Sequence, residues 1–138
     1  MANPTEFTQQ GPAGGVTPYL TIRGGKAAEA AAFYARAFGA EEQMRMKGPD
    51  GERLIHCHLR INGASVLLAD DFSVAGAPPA AGVTIHLQVD DPQGWWDRAV
   101  AAGVDVRQQM TKQFWGDLYG DLKDPYGHAW SIGGKPKE

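Results

Sequence analysis

The sequence predicts an α+β fold built from two copies of one plan, strand–helix–strand–strand–strand. Alternating apolar and polar residues over residues 16–23, and again over residues 83–89, each run through a short turn into a helix-period segment. The helix ends Phe38-Gly39-Ala40-Glu41 and Ala102-Gly103-Val104-Asp105 are matching points of the two copies. The turns Asn62-Gly63-Ala64 and Tyr126-Gly127-His128 are a second matching pair. A repeat of this kind constrains a fold more than any single element does.

Residues 1–15 are polar and rich in Pro, Gly and Gln, and are expected to be a disordered lead-in. The domain should span residues 16–134, with module one at 16–70, a linker at 71–82, module two at 83–134 and a tail at 135–138. In the first strand Val16, Pro18, Leu20 and Ile22 share one face, and Thr17, Tyr19, Thr21 and Arg23 the other. Gly24-Gly25 turns the chain into a helix from Ala27 to Phe38, stopped by Gly39. Ala30, Phe33, Tyr34, Ala37 and Phe38 form its apolar stripe, which must face a sheet.

Residues 41–47 read as a strand. Pro49-Asp50-Gly51 turns it into a second, residues 53–61, with Ile55, Cys57, Leu59 and Ile61 on the apolar face and Leu54, His56, His58 and Arg60 opposite. Asn62-Gly63 is a two-residue hairpin signal, and residues 64–70 follow as a short buried strand. Gly-Ala-Pro-Pro-Ala-Ala-Gly marks the linker.

In module two, Val83, Ile85, Leu87 and Val89 alternate with Thr84, His86, Gln88 and Asp90. Asp91-Pro92 is an N-cap followed by Pro at the first helical position. The helix carries Trp96, Ala99 and Val100 and stops at Gly103. A strand over residues 104–111 leads to Phe114-Trp115-Gly116-Asp117-Leu118-Tyr119, whose rings suit a twisted hairpin at a cleft. Asp124-Pro125-Tyr126-Gly127-His128 is a tight turn into the last strand, in which Trp130 and Ser131 point to opposite faces.

A net charge of −3 argues against nucleic acid, since no basic face supplies phosphate contacts. The single cysteine, Cys57, sits on an apolar face and requires no oxidising compartment. There is neither a membrane-length apolar run nor a signal-peptide pattern, so the expected location is the cytoplasm, with no membrane partner.

A paired βαβββ plan closed by Asp124-Pro125-Tyr126-Gly127-His128 resembles the vicinal oxygen chelate superfamily of glyoxalase I, bleomycin-resistance proteins and extradiol dioxygenases. Pro18-Tyr19-Leu20, Glu29-Ala30 with Phe33-Tyr34 and Phe38-Gly39-Ala40, and Phe114-Trp115-Gly116-Asp117 resemble its PhnB-like branch. The resemblance implies that the modules form an open, cleft-enclosing, barrel-like sheet with helices outside. Apolar faces then meet helices, and Tyr19, Thr21, His56, His58, His86, Gln88, Ala129 and Ser131 point inward. It also implies a homodimer, for which Trp95, on the helix face opposite Trp96, is a contact candidate.

Metal-dependent members of that superfamily hold an ion with four residues. Matching the repeats puts those positions at Tyr19, Leu67, His86 and Ser131. Only His86 is a credible ligand: Leu67 has no donor atom, and Ser131 stands where a carboxylate would be needed. No metal is therefore expected, and if a divalent ion binds, His56 and His58 would have to join His86. No Gly-rich strand-to-helix loop is present for a nucleotide-like cofactor. The bland reading of His56 and His58 is polar lining of a wet cleft, and that of Trp115 and Tyr119 is hairpin packing or a dimer contact. The functional reading makes Trp115 and Tyr119 a stacking surface.

Two functions follow. One is a small-molecule binding protein that sequesters a partly aromatic or cationic compound, using Tyr19, Thr21, His56, His58, His86, Gln88, Trp115, Tyr119 and Ser131. The alternative is a metal-dependent lyase or isomerase acting on a small carbonyl substrate, with the ion polarising the carbonyl.

Overall fold

The structure, a computed structural model, describes residues 11, 12 and 14–137. Most of the expected disordered lead-in, and residue 138 of the tail, lie outside the described residues. Those described form eight strands and two helices: β1 (Tyr19–Ile22), a 3-10 turn (Arg23–Gly25), α1 (Ala27–Phe38), β2 (Glu41–Lys47), β3 (Leu54–Ile61), β4 (Ala64–Asp70), β5 (Thr84–Gln88), α2 (Pro92–Ala102), β6 (Asp105–Lys112), β7 (Leu118–Lys123) and β8 (Ala129–Gly134). The strands make two four-stranded sheets, ordered β1-β4-β3-β2 and β5-β8-β7-β6. Each has one parallel pair, β1 with β4 and β5 with β8, and is otherwise antiparallel. The fold is α+β with two βαβββ modules, and neither sheet closes on itself.

The chain divides into two compact units. One holds the residues up to Ala32 with Ala40–Ala77, and the other Phe33–Gly39 with the residues from Pro78 onward.

In the first unit Leu20 and Ile22 are buried while Tyr19 and Thr21 are exposed, as alternation requires. Val16, expected on the buried side, is fully exposed. It precedes β1, outside the pleat that would have turned it inward. Asp70 is 5% exposed and accepts hydrogen bonds from the Ala27 amide at 2.9 Å and the Leu54 amide at 2.8 Å. One carboxylate thus satisfies an orphan donor at the start of α1 and secures the start of β3. The hairpin after β3 has φ of 52° at Asn62 and 79° at Gly63, the left-handed pair that a two-residue loop needs.

The faces of β3 differ from expectation at its start. Leu54 is buried and Ile55 is exposed, the reverse of strict alternation. Met46 pairs with His56 but Lys47 with Leu54, so Ile55 is an extra residue on its strand. This bulge resets the faces for two positions.

In the second unit the last half of α1 buries Phe33, Tyr34, Ala37 and Phe38. The Trp130 ring centroid lies 4.5 Å from that of Phe38 and 5.4 Å from that of Tyr34. Asp124 accepts from the Tyr34 hydroxyl at 2.7 Å, the Trp130 indole at 2.8 Å, and the amides of Tyr126 and His128 at 2.9 and 3.0 Å. The Asp-Pro-Tyr-Gly-His turn is therefore held from inside by its own aspartate, with Gly127 at φ 94° closing it.

Asp91 caps α2 by accepting from the Gly94 amide, and Gly103 ends the helix at φ 105°. Trp96 and Ala99 are buried, but Val100 is 42% exposed, so the apolar stripe is narrower than expected. Trp96 needs the space at Gly120, where a Cβ would lie 2.5 Å from its ring. Trp95 is half-buried under the Arg98 guanidinium, 4.5 Å from the ring centroid. Among the described residues no helix is long and apolar enough to cross a membrane.

Candidate functional site

Strand register gives each module one equivalent row of residues. In the first, Tyr19 of β1 pairs with Leu67 of β4, which pairs with His58 of β3. In the second, His86 of β5 pairs with Ser131 of β8, which pairs with Asp121 of β7. The four positions matched from the repeat, Tyr19, Leu67, His86 and Ser131, are thus two register pairs.

The second module carries a cleft of about 400 Å³. Alternation on β5 sends Thr84, His86 and Gln88 to it, and on β8 Ser131 and Gly133. β7 adds Leu118 and Tyr119, and the loop before it adds Trp115 and Asp117. That loop is held by hydrogen bonds from the Gln113 amide to the Asp117 carbonyl at 2.8 Å and from the Gly116 amide to the Gln113 carbonyl at 3.0 Å. Trp115 remains 54% exposed, and Phe114, at the tip, packs edge-on against it at 4.9 Å.

His86 is fixed at both ring nitrogens. Nδ1 lies 2.8 Å from the Ser131 hydroxyl and Nε2 lies 2.8 Å from Oε1 of Gln88. An amide oxygen only accepts, so Nε2–H donates to Gln88, and in the tautomer carrying its proton on Nε2, Nδ1 accepts from the Ser131 hydroxyl. The ring is stacked on Tyr119 with centroids 5.9 Å apart and planes 20° apart. Gly133 makes the room, since a Cβ there would lie 3.0 Å from Cε1 of His86 and 3.1 Å from the Leu118 carbonyl oxygen.

The other predicted residues belong to the first unit. Tyr19 donates to the Ile55 carbonyl at 3.4 Å, and its ring meets His56 edge-on at 6.3 Å. Thr21 is exposed. His56 is half-buried, and burial, helped by the neighbouring His58, pushes its pKa below the usual histidine value. His58 is 2% exposed, with Nε2 at 2.8 Å from the Ser65 hydroxyl. Cys57 is fully buried and its thiol is pushed up to about 12, chiefly by desolvation, which leaves it unreactive.

Of the nine predicted site residues, His86, Gln88, Trp115, Tyr119 and Ser131 line this cleft, whereas Tyr19, Thr21, His56 and His58 belong to the first unit. Thr84, Asp117, Leu118 and Gly133 also line it without having been selected. Alternation already put Thr84 on the His86 face, whereas Gly133 lies beyond Ile132, where the sequence reading ended the last strand. Asp117 and Leu118 sit between the two selected aromatics and depend on loop geometry.

The donor set does not suit a divalent metal. Both nitrogens of His86 are engaged, Ser131 is its hydrogen-bond partner, and Leu67 has nothing to offer. Among the described residues no three His, Cys, Asp or Glu side chains are gathered where they could hold an ion.

Residues 17–132 match the Glyoxalase/Bleomycin resistance protein/Dioxygenase superfamily. The chain is 42% identical over 135 residues to the uncharacterized protein Rv0887c of Mycobacterium tuberculosis, covering 89% of this chain and 75% of that one. A PhnB protein from Bacillus cereus shares the fold with a TM-score of 0.65 at 19% identity, covering 88% of this chain and 99% of its own. The fosfomycin resistance protein FosX from Listeria monocytogenes, complexed with Mn(II) and sulfate, superposes with a TM-score of 0.63 at 14% identity, covering 88% of this chain and 92% of its own. With the match spanning nearly all the described residues, and with two βαβββ modules in the fold, the chain belongs to the Glyoxalase/Bleomycin resistance protein/Dioxygenase superfamily.

Proposed function

We propose that the protein binds and sequesters a flat, partly aromatic small molecule in the cleft of its second module, without chemical conversion. The observation that carries this reading is the pairing of an exposed Trp115 with a rigid His86–Tyr119 stack on one cleft of ligand size. Binding would come from ring stacking and apolar burial, with Thr84, Gln88 and Asp117 as the few polar groups that set orientation. Gln88 and Ser131 hold His86 in place before the ligand arrives, so little ordering cost falls on binding.

The reading is tested by titrating a panel of bicyclic and tricyclic aromatic compounds while following tryptophan fluorescence. A saturable change should appear with wild type and be lost or displaced at least several-fold in Trp115→Ala, since stacking of a base on an aromatic ring is worth about 1–3 kcal/mol. Added zinc or manganese should leave the midpoint of thermal unfolding where it was. A metal-dependent rise in that midpoint, or binding indifferent to Trp115, overturns the reading.

A further inference from the structure

Trp115 and Asp117 line a second cleft as well, of about 420 Å³, whose remaining wall is Lys112, Gly116, Lys135, Pro136 and Lys137. Three lysines meet one carboxylate there, in a chain whose net charge is −3. Lys112 is the last residue of β6 and pairs with Leu118 on β7, while Lys135 and Lys137 follow directly on β8. The antiparallel register brings these strand ends to one corner, because Leu118 pairs with both Lys112 and Gly134. Of the three, Lys137 stands 3.9 Å from Asp91, a long and solvent-exposed ion pair.

From this arrangement we infer that the ligand is an aromatic anion, its ring beside Trp115 in the first cleft and its carboxylate, sulfonate or phosphate among Lys112, Lys135 and Lys137 in the second. The inference rests on the aromatic-binding reading and adds the charge of the ligand to it. Trp115 and Asp117 border both clefts, so one molecule can occupy both by lying across the indole edge. Three ammonium groups outweigh the carboxylates of Asp117 and of Asp91 beside Lys137, so the corner attracts anions although the molecule as a whole is acidic. A ligand that is only cationic would meet Asp117 with three lysines around it.

The test uses two fluorescent probes with one ring system, anilinonaphthalene sulfonate and the uncharged phenylnaphthylamine that lacks the sulfonate. The sulfonate should bind more tightly than the neutral probe, and its affinity should fall as salt rises while that of the neutral probe does not. A triple variant, Lys112→Gln with Lys135→Gln and Lys137→Gln, should weaken the sulfonate by roughly tenfold, about a factor of two for each exposed charge, and leave the neutral probe unchanged. Trp115→Ala should weaken both probes. If the two probes bind alike, or the triple variant treats them alike, the anionic assignment fails while aromatic binding stands. If neither probe binds wild type, or Trp115→Ala affects neither, the aromatic reading fails and takes this inference with it.

Discussion

The Tyr34 hydroxyl donates to Oδ2 of Asp124 at 2.7 Å, joining residues ninety positions apart inside the second unit. Burial and the adjacent carboxylate hold the phenol pKa far above its usual value, so Tyr34 stays a donor at any pH the fold survives. The Trp130 indole donates to the same oxygen, so the carboxylate is satisfied by two side chains on one side and two amides on the other.

Tyr34→Phe removes one of these donors without removing the ring. It should cost about 1–3 kcal/mol by leaving part of a buried carboxylate unpaired. Urea unfolding followed by circular dichroism measures it. A change below about 0.5 kcal/mol, the usual range for a surface substitution, would show that the bond carries no weight.

Trp115 and Trp130 should behave in opposite ways. Trp130 is fully buried, and Trp130→Ala should lower stability by roughly 3–5 kcal/mol. Trp115→Ala should leave the unfolding midpoint nearly unchanged and weaken the aromatic probes. If Trp115→Ala unfolds the protein and Trp130→Ala only weakens binding, the two faces of the second sheet are inverted.

Gly133→Ala tests the preorganised ring. A methyl there would press on Cε1 of His86 at 3.0 Å and on the Leu118 carbonyl at 3.1 Å, with φ outside the left-handed region and so no strain of its own. The neighbour with room to give is the imidazole, which should leave its stack with Tyr119. Overpacking costs about 1–3 kcal/mol, and probe affinity should fall as well. Histidine resonances in an NMR spectrum report the displacement. Unshifted His86 signals with intact probe binding would refute the role given to this glycine.

The pH response follows from two groups in β3. His56 has a lowered pKa when folded, so below about 6.5 the unfolded chain takes up a proton first, and stability falls as the solution is acidified. Cys57, raised to about 12, works at the other end: the unfolded thiol ionises from about 8.5 while the folded one does not, so stability falls from there towards pH 12. His56→Gln should flatten the acid side, and Cys57→Ser should flatten the alkaline side while lowering stability overall. In native protein at pH 8, Cys57 should resist a disulfide-exchange reagent until denaturant is added. Rapid labelling of the native protein would contradict its burial.

Much of the fold was legible in the chain because its signals are local. Alternation separated Trp130 from Ser131 and put His86, Gln88 and Thr84 on one face. Turn chemistry at Asn62-Gly63, Asp91-Pro92, Gly103 and Asp124-Pro125-Tyr126-Gly127-His128 marked where elements begin and end. Matching the two repeats then yielded the pairs Tyr19–Leu67 and His86–Ser131, since equivalent strands in equivalent modules share a register.

What remained depended on contacts that no local pattern encodes. The apolar stripe of α1 required a partner but did not name one, and only packing shows Tyr34 and Phe38 against Trp130 of β8. A single inserted residue at Ile55 broke the period of β3, because a bulge is set by pairing with β2 rather than by the strand's own sequence. His58 was as polar as His56, yet one is buried on Ser65 and the other half-open beside Tyr19. The lysines at positions 112, 135 and 137 are scattered in the chain and meet only because β7 pairs with both β6 and β8. Periodicity is a property of neighbours in sequence, whereas a site is made by neighbours in space.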